Sequence, residues 1–197
     1  QVTLADGSHI TLNTNSAVDV NFTDDGRRIT LRKGEAVFDV KPDPQRPFSV
    51  QAGALSATAL GTIYAVRRDG EHVDVTVRRG RVAVTNAPDK VTLSAGETVG
   101  GRADGLGAKQ SVVVDTILAW EQGRLVFEMT PLAQVLEQVE RYRPGIILIR
   151  DTSLGALKVS GTFQLDDLDD GLATLEKVFP LKIERYTDYL LVISSKT

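Results

Sequence analysis

The imidazole and thiol side chains that could take part in catalysis or hold a metal ion are few and widely separated. The chain has two histidines, His9 and His72, and no cysteine. We find no second imidazole, thiol or carboxylate at metal-ligand spacing beside either histidine, and both fall in strand or turn segments. We therefore expect both to be solvent-facing strand positions, with no metal, no cofactor and no histidine catalysis.

The densest group of oxygen ligands is the acidic run at residues 166–170, which reads Asp-Asp-Leu-Asp-Asp. It lacks the glycine and the terminal glutamate of a calcium-binding loop. We interpret it as the start of a helix, where acidic side chains cap free N–H groups and interact favourably with the helix dipole. The sequence also contains no glycine-rich phosphate loop and no Gly-x-Ser-x-Gly motif. These absences argue against a cofactor-dependent enzyme.

Composition limits which other classes of protein the chain can belong to. The 23 basic and 26 acidic side chains leave a net charge of −3, so the protein has no basic field to hold a phosphate backbone, and we expect no nucleic-acid partner. A hydrophobic fraction of 42% is typical of a globular protein. No apolar run approaches the roughly 20 residues of a membrane span. Because strand-like alternation begins at Val2, we expect any targeting or membrane segment to lie upstream of Gln1.

An alternation of apolar and polar residues predicts short strands through the first hundred residues. Asp6-Gly7, Asp25-Gly26 and Asp69-Gly70 separate them as turns, because glycine adopts positive φ without strain. An Asp-Gly turn, a strand, a basic residue with glycine and a second strand occur twice, around Lys33-Gly34 and Arg79-Gly80. A meander of hairpins and a stacked, solenoid-like β unit both explain this repeated pattern. The alternating segments are Ile10-Leu12, Val18-Val20-Phe22, Ile29-Leu31, Ala36-Phe38-Val40, Val73-Val75-Val77 and Val82-Val84.

The periodicity becomes helical after a Gly- and Ala-rich stretch. One predicted helix has Thr130 as N-cap and Pro131 at its first position, and a second is capped by Asp166 or Asp167. Five strand-like segments frame the helices in the order strand, helix, strand, strand, helix, strand, strand. We predict an α+β protein with a β domain at 1–101, a linker at 102–116 and a small βαβ-βαβ-type domain at 117–197, with helices on one face of a sheet. The strand segments are Arg124 to Glu128, Gly145 to Arg150, Leu157 to Phe163, Leu181 to Arg185 and Tyr189 to Ser194.

Several segments together resemble the FecR family of transmembrane regulators. The resemblance covers nearly the whole chain, and its C-terminal part, especially residues 157–163, is similar to the short domain at the N-terminus of secretins and TonB-dependent receptors. The segments that carry it are residues 2–8, 11–13, 16–17, 31–40, 46–50, 59–66, 75–84, 93–97, 119–120, 123–127 and 130–132.

The resemblance implies the periplasmic part of a single-pass inner-membrane protein in a Gram-negative bacterium. In such systems a TonB-dependent outer-membrane transducer senses a siderophore or similar substrate, and its periplasmic signalling domain contacts the regulator. The regulator controls an extracytoplasmic-function sigma factor through a cytoplasmic segment. That segment and the membrane helix would precede this chain.

The resemblance also directs attention to Gly61-Thr62, because some members of the family cleave themselves at a Gly-Thr bond. The threonine hydroxyl would attack the preceding carbonyl carbon if a strained turn held the peptide. The alternative is that Gly61 allows a close strand approach or bulge and Thr62 is an ordinary strand residue. Apart from this single-turnover step, we expect no enzymatic activity.

For partner binding we predict that an edge strand of the C-terminal domain pairs with a strand of the transducer. Ordinary core packing is the alternative for each side chain. Two other functions stay open: a glycan-binding envelope domain, which the 6% aromatic content supports poorly, and a structural domain of a secretion apparatus. The candidate edge residues are Leu125, Val126, Phe127, Tyr189, Leu190, Leu191 and Val192.

Overall fold

The chain folds as two units, and the boundary between them falls between Val114 and Asp115. The computed structural model describes residues 1–196. Strands predominate and helices are few, which confirms the α+β expectation at that level. No helix among the described residues is both long and apolar enough to cross a membrane.

The first unit contains thirteen strands in one hydrogen-bonded network. Most neighbours are antiparallel, and the pair of β4 and β5 is parallel. The strands are β1 (Val2–Thr3), β2 (His9–Leu12), β3 (Ala17–Thr23), β4 (Gly26–Asp39), β5 (Phe48–Ala52), β6 (Leu55–Ala59), β7 (Ile63–Asp69), β8 (His72–Arg79), β9 (Arg81–Asn86), β10 (Asp89–Ser94), β11 (Glu97–Arg102), β12 (Gly105–Leu106) and β13 (Gln110–Ser111).

Two glycines carry the chain from one half of this network to the other. The first half of β4 pairs with β3 and β5, and its second half pairs with β2 and β7; Gly34, at φ +81°, lies between them. In the same way β8 pairs with β7 and β11, whereas β9 pairs with β6 and β10, and Gly80 at φ +86° lies between them. Glycine is suited to both places because positive φ strains other residues. The repeated sequence pattern around Gly34 and Gly80 therefore corresponds to two equivalent kinks in the strands.

Both halves of the network face one hydrophobic core. Ile29 and Val82 contribute from one half, and Phe38 and Val75 contribute from the other, all with 1% or less of their surface exposed. Most of the alternating apolar positions of the sequence point inward, as the period-two pattern of strands requires, whereas Leu12 and Val20 are exposed.

Residues 102–116 are not a linker through their whole length. Within this range β12 and β13 both pair with β11, and the Gly107 N–H donates to the Gly100 carbonyl at 2.8 Å. The glycines that suppress any periodic signal are what allow the chain to turn back onto β11 here. A short helix α1 (Val114–Ile117) spans the boundary between the units.

The second unit has the predicted order of strands and helices. Asp167 is the N-cap of the later helix as expected, with its side chain accepting from the Asp170 N–H at 3.1 Å. Thr130 is not a cap, because it belongs to the preceding strand and the helix begins at Leu132 after Pro131. The elements are β14 (Arg124–Pro131), α2 (Leu132–Glu140), β15 (Ile146–Ile149), β16 (Lys158–Gln164), α3 (Leu168–Val178), β17 (Leu181–Thr187) and β18 (Leu190–Ser195), with 3₁₀ turns at Ala119–Gln122 and Thr152–Ala156.

The expectation of a single sheet in this unit is wrong. β14 and β16 form an antiparallel two-stranded ribbon, whereas β15, β18 and β17 form a separate three-stranded sheet in that order. Each strand before a helix belongs to the ribbon, and each strand after a helix belongs to the other sheet. Sequence periodicity defines the strands, but the pairing depends on contacts between residues far apart in the chain.

Candidate protein-binding edges and the Gly61–Thr62 bond

The segment Tyr189 to Val192 is not an edge, so this prediction is wrong. β18 is the central strand of its sheet and pairs with β15 on one side and β17 on the other. Leu191 and Val192 are buried, and the Tyr189 carbonyl accepts a hydrogen bond from the Ile146 N–H at 2.8 Å. The apolar residues that suggested a partner-binding edge belong instead to a central strand that is paired on both sides.

The segment Leu125 to Phe127 does lie on an edge strand, because β14 pairs with β16 alone. Leu125 and Phe127 are buried, and the Phe127 ring meets the Phe163 ring edge-on with centroids 5.4 Å apart. Val126 points to the other face and is partly exposed. The side chains of this segment therefore serve packing, and its backbone is the part available for pairing.

The ribbon exposes unpaired backbone groups on both of its outer sides. The Leu165 N–H donates to the Gly123 carbonyl at 2.8 Å. Because hydrogen-bonded and non-hydrogen-bonded residue pairs alternate along an antiparallel ladder, this bond identifies which of the following pairs are hydrogen-bonded. Counting from this bond, the backbone of Leu125 is hydrogen-bonded to that of Phe163, and the backbone of Phe127 is hydrogen-bonded to that of Gly161. The intervening Val126–Thr162 pair turns its backbone outward, with Val126 at one side of the ribbon and Thr162 at the other.

The two edges of the three-stranded sheet are blocked by helix glutamates. Glu140 at the end of α2 accepts the outward N–H of Ile147 on β15. Glu176 on α3 accepts the N–H of Ile183 on β17 at 3.3 Å. In both cases the glutamate precedes its partner by seven residues. A strand added at either edge would have to displace a carboxylate, so the ribbon offers the more accessible edges.

The Gly61–Thr62 bond lies in a tightly packed bend before β7. A Cβ placed on Gly61 would come within 2.9 Å of the Pro42 ring, and Gly80 packs against Thr62 on the other side. Gly61 is absent from the residues with positive φ, so this bond lacks left-handed strain. These contacts fit the close-approach alternative. The Thr62 hydroxyl is buried and has no hydrogen-bond partner among the described residues, so no described base contacts it.

A buried polar cluster in the first unit escaped the sequence analysis. The Arg27 guanidinium is fully buried, with Nη1 2.6 Å from Asp6 and Nε donating to the Arg46 carbonyl at 2.9 Å. It also lies over the Phe48 ring at 5.4 Å. Burial raises the pKa of the Tyr64 hydroxyl, and the charge of Arg27 only partly offsets this. The period-two pattern could have revealed the cluster, because Arg27 alternates with Ile29 and Leu31 on the inward face.

The histidines lie where expected, but His72 does have a carboxylate neighbour. Its Nε2 is 3.0 Å from Asp74, two residues along the same strand face, and both side chains are well exposed. His9 Nδ1 contacts the Thr3 hydroxyl at 3.1 Å. Among residues 1–196 no group of three or more potential metal ligands comes together.

Comparison with known proteins agrees with this architecture. Residues 1–83 match the family model described as FecR protein. A crystal structure at 1.65 Å from Parabacteroides distasonis, provisionally described as an anti-sigma factor, matches with a TM-score of 0.86 and 25% identity, covering 100% of this chain and 94% of that one. A second structure at 2.50 Å, with the same description and organism, gives a TM-score of 0.83 at 24% identity with the same coverage. No curated protein matches the chain.

A β-rich unit followed by a small α+β unit is thus an architecture that this chain shares with a solved structure provisionally described as an anti-sigma factor. The match of residues 1–83 relates the first unit to the FecR family.

Proposed function

We propose that this chain is the signal-receiving part of a FecR-type regulator, and that it binds the periplasmic signalling domain of a TonB-dependent outer-membrane transducer. Binding would control an extracytoplasmic-function sigma factor, in iron–siderophore uptake or a comparable import system. In this proposal the second unit acts like the short domain at the N-terminus of secretins and TonB-dependent receptors.

The observation that carries the proposal is the contrast between the edges of the second unit. The three-stranded sheet is closed by Glu140 and Glu176, whereas the β14–β16 ribbon has unpaired backbone groups on both sides. An unpaired edge supports binding by strand addition, in which backbone hydrogen bonds give affinity and alternate side chains give specificity.

The same proposal places the chain in the periplasm, anchored by a membrane helix outside the described residues. The sigma factor would be bound by a cytoplasmic segment on the other side of that helix. The match of residues 1–83 to the FecR family supports this arrangement. Fractionation of cells expressing the full-length protein, with protease access to each compartment, tests it directly.

Calorimetric titration tests the binding proposal. The chain is titrated with the purified signalling domain of the transducer encoded beside it, and we expect saturable one-to-one binding at micromolar or tighter affinity. The absence of both heat and co-elution would reject this transducer as the partner.

We keep self-cleavage at Gly61–Thr62 as a second candidate, because the buried Thr62 hydroxyl is not held in another hydrogen bond among the described residues. In this step Thr62 Oγ1 attacks the Gly61 carbonyl carbon, the C–N bond breaks and the hydroxyl proton passes to the leaving amine. Water then hydrolyses the ester, leaving a carboxylate on Gly61 and a free amine on Thr62.

Intact-mass spectrometry of the purified chain during prolonged incubation tests this step. If the bond is cleaved, two fragments separate after Gly61, and cleavage is abolished by Thr62→Ala and retained by Thr62→Ser. A wild-type chain that stays intact throughout the incubation excludes self-cleavage of this protein.

A further inference from the structure

A groove runs along β16, the second strand of the ribbon, beside helix α3. Its volume is about 330 Å³, which lies at the lower end of the range for ligand pockets. Six consecutive residues of β16, 159–164, line it together with one face of α3, and no residue of β14 does. Consecutive strand residues point to opposite faces. A groove lined by all six therefore lies along the outer edge of β16 and not on one face of the ribbon.

We propose that this groove, which we call the β16–α3 groove, receives an extended segment of the partner as a third strand of the ribbon. The inference rests on the proposed function and specifies it further, because it selects β16 over β14. The segment would carry apolar side chains toward α3 and a lysine or arginine at the end near Asp167 and Asp170.

The backbone of β16 is arranged to accept such a strand. Thr162 and Gln164 alternate with the residues bonded to β14, so their N–H and C=O groups face the groove. The floor also has free space, since a Cβ placed on Gly161 would meet no atom within 4 Å. An incoming side chain can therefore lie over Gly161 without moving the ribbon.

The apolar and charged residues of the groove define the chemistry of its occupant. Val178, at the end of α3, is 68% exposed and stands beside Phe179 in the lining. The charged residues of the lining are Asp167 and Asp170, and the lining contains no lysine or arginine. Apolar surface at one end and two carboxylates at the other favour a segment with apolar residues and a basic residue.

Two proline substitutions on one cross-strand pair provide the test. Thr162→Pro removes the N–H that faces the groove, and Val126→Pro removes the matching N–H on the opposite side of the ribbon. Proline is tolerated where the lost N–H faces outward from an edge strand. In titrations of the whole chain with the transducer's signalling domain, we expect Thr162→Pro to weaken binding at least about tenfold. Val126→Pro should bind as the wild type does.

Two further measurements keep the test independent of proline effects on folding. Gly161→Leu fills the groove at a position with ordinary φ and should weaken binding to a similar extent. In the wild type, the Thr162 amide should become protected from hydrogen exchange on binding, and the Val126 amide should not. Asp170→Asn should weaken binding and reduce its salt dependence, unlike Asp169→Asn, since Asp169 pairs with Arg185 and does not line the groove.

The outcomes separate the two proposals. If the wild type binds and Val126→Pro is the variant that loses affinity, or both prolines lose it equally, the groove is not the site but the proposed function stands. If the wild type does not bind, this transducer is rejected as the partner and this inference fails with it. If the chain alone forms a dimer that Thr162→Pro dissociates, the occupant is a second copy and the inference is overturned.

Discussion

The buried ion pair between Asp6 and Arg27 makes a quantitative prediction about the first unit. Arg27 has no exposed surface and Asp6 exposes 5% of its side chain, with 2.6 Å between the charged atoms. Replacing Asp6 with alanine leaves a buried guanidinium without a counter-charge. Breaking one side of a buried pair lowers the free energy of unfolding by about 3–5 kcal/mol.

The contacts that remain set the expected value within that range. In Asp6→Ala the guanidinium keeps its bonds to the Arg46 and Lys41 carbonyls, both at 2.9 Å, and its contact with the Phe48 ring. We therefore expect a loss near the lower limit, about 3 kcal/mol. At a typical urea m-value of about 2 kcal/mol per molar, this lowers the unfolding midpoint by roughly 1.5 M.

Urea unfolding followed by circular dichroism measures this change, while the fluorescence of the single tryptophan, Trp120, reports on the second unit. The matched control is Asp19→Ala, because Asp19 pairs with Arg32 where both side chains are more than half exposed. Such pairs contribute about 0–1 kcal/mol. Equal midpoints for the two variants would refute the argument that burial makes the Asp6 pair important.

The pH dependence provides a second check on the same pair. Burial alone would raise the pKa of Asp6, but hydrogen bonds from Ser8 and Arg27 outweigh it and lower the pKa below the ordinary 3.8. A carboxylate whose pKa is lower in the folded state stabilises the fold above its unfolded pKa. That stabilisation is lost as the pH falls through the folded pKa. The stability difference between wild type and Asp6→Asn should therefore be full near neutral pH and shrink in strong acid. A difference that stays constant down to about pH 2 would contradict the assignment.

Two further substitutions test local features of the second unit. Glu140→Ala should speed hydrogen exchange of the Ile147 amide and lower stability by about 1 kcal/mol, whereas Glu140→Gln retains an acceptor and should preserve both. In Gly171→Ala the new Cβ would lie 2.3 Å from the Phe163 ring, so overpacking of about 1–3 kcal/mol should exceed the gain of roughly 1 kcal/mol in helix propensity. The control Gly161→Ala adds the same methyl group in open space, and a thermal melt in which both variants behave alike would rule out the packing argument.

The elements were predictable because their signals are local. Alternation in Val73-Val75-Val77 and helical spacing from Leu132 to Val139 arise from the side-chain periods of strands and helices. The pairing of strands was less accessible. An apolar segment such as Leu190 to Val192 has the same pattern whether it is central or at an edge, so the sequence suggested an edge where the structure has a central strand.

The candidate site also combines features with a local sequence signal and features that depend on how the elements pack. The strand at Leu125 to Phe127 was predictable from its alternating pattern, but the β16–α3 groove depends on how α3 packs beside β16 and on which edge of β16 is left unpaired by β14. Arg27 was missed for a different reason. Its alternation with Ile29 places it inward, yet a charged residue is usually assigned to the surface, and its counter-charge is 21 residues away.

The repeated glutamate arrangement connects this architecture to selectivity. Glu140 ends α2 and accepts from Ile147 on the strand that follows, and Glu176 lies near the end of α3 and accepts from Ile183 on the strand that follows, with the same spacing in both βαβ halves. An unprotected strand edge pairs with any other edge, so closing two edges limits strand addition to the ribbon. Of the two ribbon edges, the one on β16 forms a groove with α3. In this groove α3 can contact the side chains of an added strand while β16 pairs with its backbone. If a strand adds to β16 as we propose, the side chains that it places against α3 would distinguish the partner, because backbone pairing alone would not select it.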